Sequence, residues 1–262
     1  MPDWIPLLVS GALFAALLMA ATWWLAVRIR NAGIVDIAWA ASFAPLALLY
    51  ATSGSGAPVR RLAVAAMVVA WSLRLALYLY VRVMGHHPQE DARYVDLRRR
   101  WAPTADRRFF WFFQAQGLAA AAFSLPFAIA ASDARPAFGA LEWAGMAVWA
   151  VGLTGEALAD WQLARFKRNP ANAGRICQAG LWNHSRHPNY FFEWLVWCGY
   201  ALFALASPWG WLALACPAAM LYLLLRVTGI PALEASAVAR RGDAYRQYQR
   251  TTSAFVPWVK RS

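Results

Sequence analysis

Seven apolar runs, each close to the length of one bilayer crossing, divide this chain and leave it little choice of fold. They cover about residues 4–27, 33–52, 62–84, 109–131, 138–161, 189–206 and 209–228. A hydrocarbon core of about 30 Å takes roughly 20 helical residues to cross, and the backbone inside it must satisfy its own polar groups. The expectation is an all-α polytopic membrane protein, a bundle of seven transmembrane helices forming a single integral membrane domain over 1–262. Composition agrees, since 61% of the residues are hydrophobic and 15% charged, outside the range of ordinary soluble domains. The sixteen Trp suit helix contacts and membrane interfaces. The first run is too long for a secretory signal and no small-residue cleavage site follows it, so it reads as a retained helix.

Charge sets the orientation. Of the 25 Lys and Arg, 21 fall on one set of alternate connections; Arg60, Arg61 and Arg135 lie on the other, and Arg74 lies inside a run. The positive-inside rule then places the N-terminus outside and the C-terminus in the cytoplasm. The net charge of +12 is therefore a topology signal, and nucleic acid is not an expected partner. The outer connections at 53–58, 132–136 and 207–208 are short turns without room for a site. The cytoplasmic segments 85–108, 164–188 and 229–262 are longer, so function is expected on that face, with a bacterial inner membrane as the location. The last segment is read as a lid, whose Tyr245, Tyr248 and Arg250 suit a cofactor cover.

Cys177, Cys198 and Cys216 have neither metal spacing nor a paired framework. The histidines, His86-His87 and His184 with His187, lack a helical metal pattern, and no metal is expected.

The densest chemistry lies between Gly174 and Glu193. Pro188 suits the first turn of a helix, where its missing N–H is no loss, and the free N–H groups that follow face the preceding loop. Arg175 and Arg186, with His187, stand ready to share an anion there, and Asn189 and Glu193, four apart, occupy one helix face. A charged cofactor is expected to enter at this point.

Ionisable residues inside apolar runs cost about 2.5–3.5 kcal/mol each on insertion scales, so each needs a partner or a task. Asp36, Arg74, Glu156, Asp160 and Glu193 are the candidates. Asp36 has two readings: a catalytic acid, kept protonated by burial and donating to a carbonyl oxygen, or an ion-pair partner of Arg74 that locks the second and third helices. Glu156 and Asp160 share a helix face and either accept from ligand amides and hydroxyls or pair with Arg165 and Lys167. Glu90, Asp91 and Arg93 are read as a tether between their loop and the C-terminal lid.

With Gly180-Leu181-Trp182, Ser185-Arg186-His187-Pro188-Asn189-Tyr190 and Glu193 in place, the chain resembles the steroid 5-alpha-reductase superfamily, most closely its uncharacterised bacterial branch. Ile34-Val35-Asp36, Glu90 to Tyr94, Asn169-Pro170-Ala171-Asn172 and Ser253 to Trp258 look similar as well. The resemblance implies seven transmembrane helices, NADPH bound from the cytoplasmic side, and reduction of a carbon–carbon double bond conjugated to a carbonyl in a lipid or steroid-like substrate. It implies cofactor contacts at Asn189 and Glu193, at Asp160 with Glu156 one turn before it, at Arg168 and Arg175, and at Tyr248 or Tyr245; Arg186, at the helix start, is expected to join them. Asp36 and Arg74 would be catalytic. The family's Gln-Glu pair in the second helix is replaced by Asp36 alone, and Trp71 stands where a Tyr of the third helix would fall, which points away from a steroid itself.

Two other readings share the architecture. Isoprenylcysteine carboxyl methyltransferases also carry an Arg-His-Pro-x-Tyr element before a membrane helix and use S-adenosylmethionine, which lacks the phosphates that several arginines would serve. A non-catalytic lipid-binding membrane protein would need none of these side chains.

Overall fold

The computed structural model describes residues 2–227 and 229–260. The chain is helical, and the described residues pair as β structure only in an isolated parallel bridge between Ser185 and Ser253. Five stretches are long and apolar enough to cross a membrane: Trp4–Ile29, Ile34–Ser53, Pro58–Met84, Ala105–Ala131 and Gly210–Arg241. The protein is thus an integral membrane protein, with five such stretches among the described residues where sequence reading expects seven. The other two expected spans form helices that carry buried acids, which lower their apolar character. Contacts group the chain into two compact units, Met1–Gly139 with Ala206–Leu212, and Ala140–Leu205 with Ala213–Ser262.

The first unit holds α1 (Trp4–Ile29), α2 (Ile34–Ser53), α3 (Pro58–Met84), the short α4 (Ala92–Trp101), α5 (Ala105–Phe123) and α6 (Leu125–Ala131). At 1.5 Å per residue, α1 is about 39 Å long, ample for a bilayer. α1 packs on α2 and α5, and α2 on α3. Small residues permit this: a Cβ at Gly11 would collide with the Tyr50 ring, whose hydroxyl bonds Ser124 Oγ at 2.8 Å. The run expected as one helix over 109–131 is interrupted at Ser124, where Pro126 enters the next helix near its start. α2 contains Pro45, and just before it the Ser72 hydroxyl of α3 donates to Ala40 O at 2.6 Å and accepts from Ala44 N at 3.1 Å. One hydroxyl thus stands between the donor and acceptor of a helical bond, and binds α3 to α2.

The connections at the far end of α2 and α3, expected to be bare turns, form a buried polar clamp. Arg60 is 1% exposed; its Nη1 lies 3.5 Å from Asp133 Oδ2, and its other nitrogens donate to Arg135 O and Ala137 O. Arg135 donates to Asp133 at 2.5 Å and to Ala206 O. Burial would push the Asp133 carboxyl up, but hydrogen bonds from the side chain and backbone of Arg135 and the charge of Arg60 hold it down at about 2. Removal of a buried arginine from such a set would leave carbonyls and a carboxylate unanswered.

The second unit holds α7 (Ala140–Arg168), α8 (Pro188–Leu205), α9 (Ala215–Tyr222), a π-helical turn at Leu223–Val227, α10 (Ile230–Arg241) and α11 (Asp243–Thr251). α7 and α8 are its principal helix pair, and they touch through main chain. A Cβ on Gly145 would lie 2.6 Å from Phe203 N, one on Gly152 2.7 Å from Val196 N, and one on Gly199 2.6 Å from Trp149 N. Close packing through small residues is the usual solution where lipid offers no hydrophobic drive for helix association. Ahead of α8 a short turn at Gly180–Asn183 begins with Gly180 at φ +56, where a Cβ would also strike the Gln162 side chain. Pro188 opens α8, as expected.

Candidate functional site

The first unit gathers charge where α2 begins. Asp36 lies in the first turn of α2, where the helix dipole favours an anion. Tyr94 of α4 donates to its Oδ1 at 2.7 Å, and Arg93 and Arg82 reach its Oδ2 at 3.1 and 3.4 Å. All three donate, so both oxygens serve as acceptors. The surroundings of Asp36 are thus polar and cationic, where apolar neighbours are expected. The partner differs too: α3 answers Asp36 with Arg82, about two turns beyond Arg74, which sits half-buried on the same helix.

The motif from Glu90 to Tyr94 builds this cluster. Asp91 caps α4 by accepting from Arg93 N at 2.9 Å and pairs with the Arg93 side chain at 3.0 Å. Glu90 accepts from Ala32 N at 2.6 Å in the α1–α2 turn and pairs with Arg98 at 2.9 Å, and Arg98 reaches Asp106 at 3.3 Å. The expected tether to the C-terminal lid is therefore a tether to the α1–α2 turn. Burial, followed by the charge and hydrogen bond of Asp36, pushes the Tyr94 phenol well above its usual range. Burial opposes the Asp91 carboxylate, yet the Arg93 hydrogen bonds and the charges of Arg93 and Arg82 keep it below the ordinary value. Arg93 is 55% exposed and Arg82 45%, so solvent screens these pairs, and the buried Tyr94 contact is the firmer bond.

The second unit gathers acids between α7 and α8. Glu156, Asp160 and Glu193 are 4%, 6% and 8% exposed, so each faces protein and none faces lipid. Asn189 Nδ2 donates to Asp160 Oδ1 at 3.2 Å, and Trp197 Nε1 donates to Glu193 Oε1 at 2.9 Å. The pairing of Gly152 with Val196 and of Asp160 with Asn189 brings Glu156 level with Glu193. Four of the expected cofactor residues thus share one stretch of one helix pair. Arg168, the last residue of α7, and Arg175, in the connection to α8, are exposed.

Arg186, Tyr245 and Tyr248 have another task. Arg186 is buried; its Nε donates to Glu234 Oε1 at 2.5 Å and its Nη1 to the carbonyls of Gln249 and Thr252. Glu234 also accepts from Gln249 Nε2 at 2.9 Å and lies 3.3 Å from His187 Nε2. The guanidinium is therefore engaged by the C-terminal segment, which removes it from the expected anion set. Tyr248 donates to Trp182 O and Ser185 O, Ser185 Oγ donates to Phe255 O at 2.8 Å, and Trp258 N donates to His184 O at 2.9 Å. Burial pushes the Tyr248 phenol well up, so it stays a donor. Tyr245 is buried beside it, with ring centroids 5.9 Å apart. The expected lid is a strap, sewn onto the loop ahead of α8.

Sequence reading missed Glu234, Arg82 and the role of Tyr94. Glu234 carried one signal: it and Asp243 are the only acids of the segment 229–262. Arg82 carried none that separates it from Arg74. Among the described residues no three His, Cys, Asp or Glu side chains are placed to share a metal ion.

These features define a polytopic helical membrane protein with buried acids on a glycine-packed helix pair and a C-terminal strap across the loop ahead of α8. The chain belongs to DUF1295, a family of proteins of unknown function, whose model matches residues 22–252. It is similar to an uncharacterised protein of Schizosaccharomyces pombe, 30% identical over 226 residues that cover 76% of this chain. The alignment spans 65% of that protein's length. No solved structure matches the chain.

Proposed function

We propose that this protein is an NADPH-dependent reductase of a carbon–carbon double bond conjugated to a carbonyl, acting on a lipid or steroid-like substrate from the cytoplasmic side. The observation that carries the reading is the burial of Glu156, Asp160 and Glu193 with Asn189 on α7 and α8, beneath a loop that keeps Arg168 and Arg175 exposed. In lipid-embedded helices, three acids packed into protein suit a ligand rich in hydroxyl and amide donors. The donor set fits a dinucleotide: Arg168 and Arg175 for the phosphates, the acids and Asn189 for ribose hydroxyls and the carboxamide. NADPH supplies the hydride when bound. Arg186 and Tyr248 hold the strap that closes the entry loop, and Tyr245 packs beside them. Asp36 positions Tyr94 and Arg93. In this reading α7 and α8 also cross the membrane, completing seven spans with the N-terminus outside, because their acids are hidden from lipid against each other.

One observation favours a second reading, an S-adenosylmethionine-dependent methyltransferase. With Arg186 engaged by Glu234, fewer guanidiniums serve phosphates, while three buried acids suit a cationic sulfonium.

Thermal-shift titration of detergent-purified protein separates them. NADPH is expected to raise the melting temperature, with a weaker response in Arg175→Ala and in Asp160→Asn. A response to S-adenosylmethionine alone supports the methyltransferase, and silence toward both removes both.

A further inference from the structure

We infer that the paired ends of α1 and α5 form a binding site for the headgroups of anionic phospholipids. Trp23 Nε1 donates to Asp106 O at 2.8 Å and its ring meets Phe110 at 5.1 Å, so the last turns of α1 and the first turn of α5 end at one level. Arg28 and Arg30 close α1, and Arg107 and Arg108 open α5. All four are exposed.

Of the neighbouring arginines, all but the exposed Arg99 of α4 differ from this set. Arg82, Arg93, Arg98 and Arg100, at the same end of the unit, are each answered by Asp36, Asp91, Glu90, Asp106 or Asp96 within 3.4 Å. Among the described residues, Arg28, Arg30, Arg107 and Arg108 make no ion pair, although acids are plentiful a few residues away.

Exposed tryptophans mark the depth. Trp24 is 53% exposed four residues before Arg28, whose guanidinium lies 4.4 Å over its ring, and Trp111 is 63% exposed four residues after Arg107. On both helices an indole therefore sits one turn farther into the apolar span than an arginine. Indole prefers the headgroup level of a bilayer, so the four guanidiniums lie among the phosphates. A cluster of unneutralised arginines at that depth attracts anionic lipid with about 1 kcal/mol per residue, or about fivefold in affinity. A lipid supplies phosphate oxygens to the arginines and acyl chains to the exposed Trp24, Leu25 and Trp111. The charge and the apolar surface find their match in the same molecule.

The test is native mass spectrometry of the full chain, purified in neutral detergent and offered phosphatidylglycerol or phosphatidylcholine at equal concentration. The wild type is expected to retain phosphatidylglycerol preferentially, with retention weakened by salt. Arg28→Gln/Arg30→Gln and Arg107→Gln/Arg108→Gln are each expected to weaken it by about 25-fold. Arg240→Gln/Arg241→Gln, a basic pair elsewhere, is expected to leave it unchanged. Equal retention of the two lipids by the wild type overturns the proposal, a result that needs no variant to fold. So does an effect of the α10 pair as large as that of the α1 or α5 pair, or competition by inorganic phosphate at the same concentration as the lipid.

Discussion

The Tyr94 hydroxyl donates to Asp36 Oδ1 at 2.7 Å, joining the first turn of α4 to the first turn of α2. The bond is buried on the tyrosine side, whereas the arginine partners of Asp36 are half in solvent. Tyr94→Phe is expected to lower stability by about 1–2 kcal/mol. Asp36→Asn is expected to lower it more, since two cations then face a neutral amide. Denaturation of both variants in one detergent checks the order, and the reverse order contradicts the arrangement.

Acid should weaken the clamp around Asp133. Its carboxyl is held at about 2, below the ordinary value of 3.8, so its contribution is fully present above about pH 4. It is lost as pH falls through about 2, because the unfolded chain takes up the proton first. The contribution is on the order of 1–2 kcal/mol. Unfolding followed between pH 6 and 2.5 should show a fall that is smaller in Asp133→Asn, that variant being less stable at neutral pH from the outset.

Gly199→Ala is expected to destabilise the second unit by about 1–3 kcal/mol, since the new methyl would lie 2.6 Å from the backbone of Trp149. Gly174→Ala is a contrasting control: space is open around it, but its φ of +75 imposes a backbone penalty of about 1 kcal/mol. The melting temperatures of the two variants decide whether steric contact dominates.

Replacement of Arg186 should release the strap. Arg186→Ala leaves the half-buried Glu234 with one fewer partner and takes a donor from two carbonyls, a loss of about 1–3 kcal/mol. Arg186→Lys should recover only part of it, because one ammonium lacks the planar fork that meets acceptors on two sides. Limited proteolysis with trypsin should cut near Arg240 to Arg250 earlier in Arg186→Ala than in the parent. An unchanged cutting rate would show that the strap is held elsewhere.

Helix positions were legible because a membrane helix writes itself as an unbroken apolar run, and the burial of Glu156, Asp160 and Glu193 followed from the penalty for leaving an acid in lipid. The start of α8 at Pro188 was legible for a local reason, the proline's missing donor. Pairings were not. Arg74 and Arg82 lie on one helix with similar neighbours, and only the rotation and depth of α3 decide which meets Asp36. Arg60 and Asp133 are separated by most of the first unit, and nothing in a short turn announces that it will be buried. Arg186 looked like an anion ligand because an arginine at a helix entrance resembles one until the far end of the chain arrives to claim it.

Gly145, Gly152 and Gly199 let α7 and α8 meet main chain to main chain. Helices joined by long side chains slide when rotamers change, whereas this pair has no such slack. The register that brings Asp160 and Asn189 within 3.2 Å of each other is therefore fixed by backbone meeting backbone, and it does not wait on the rotamer of any long side chain.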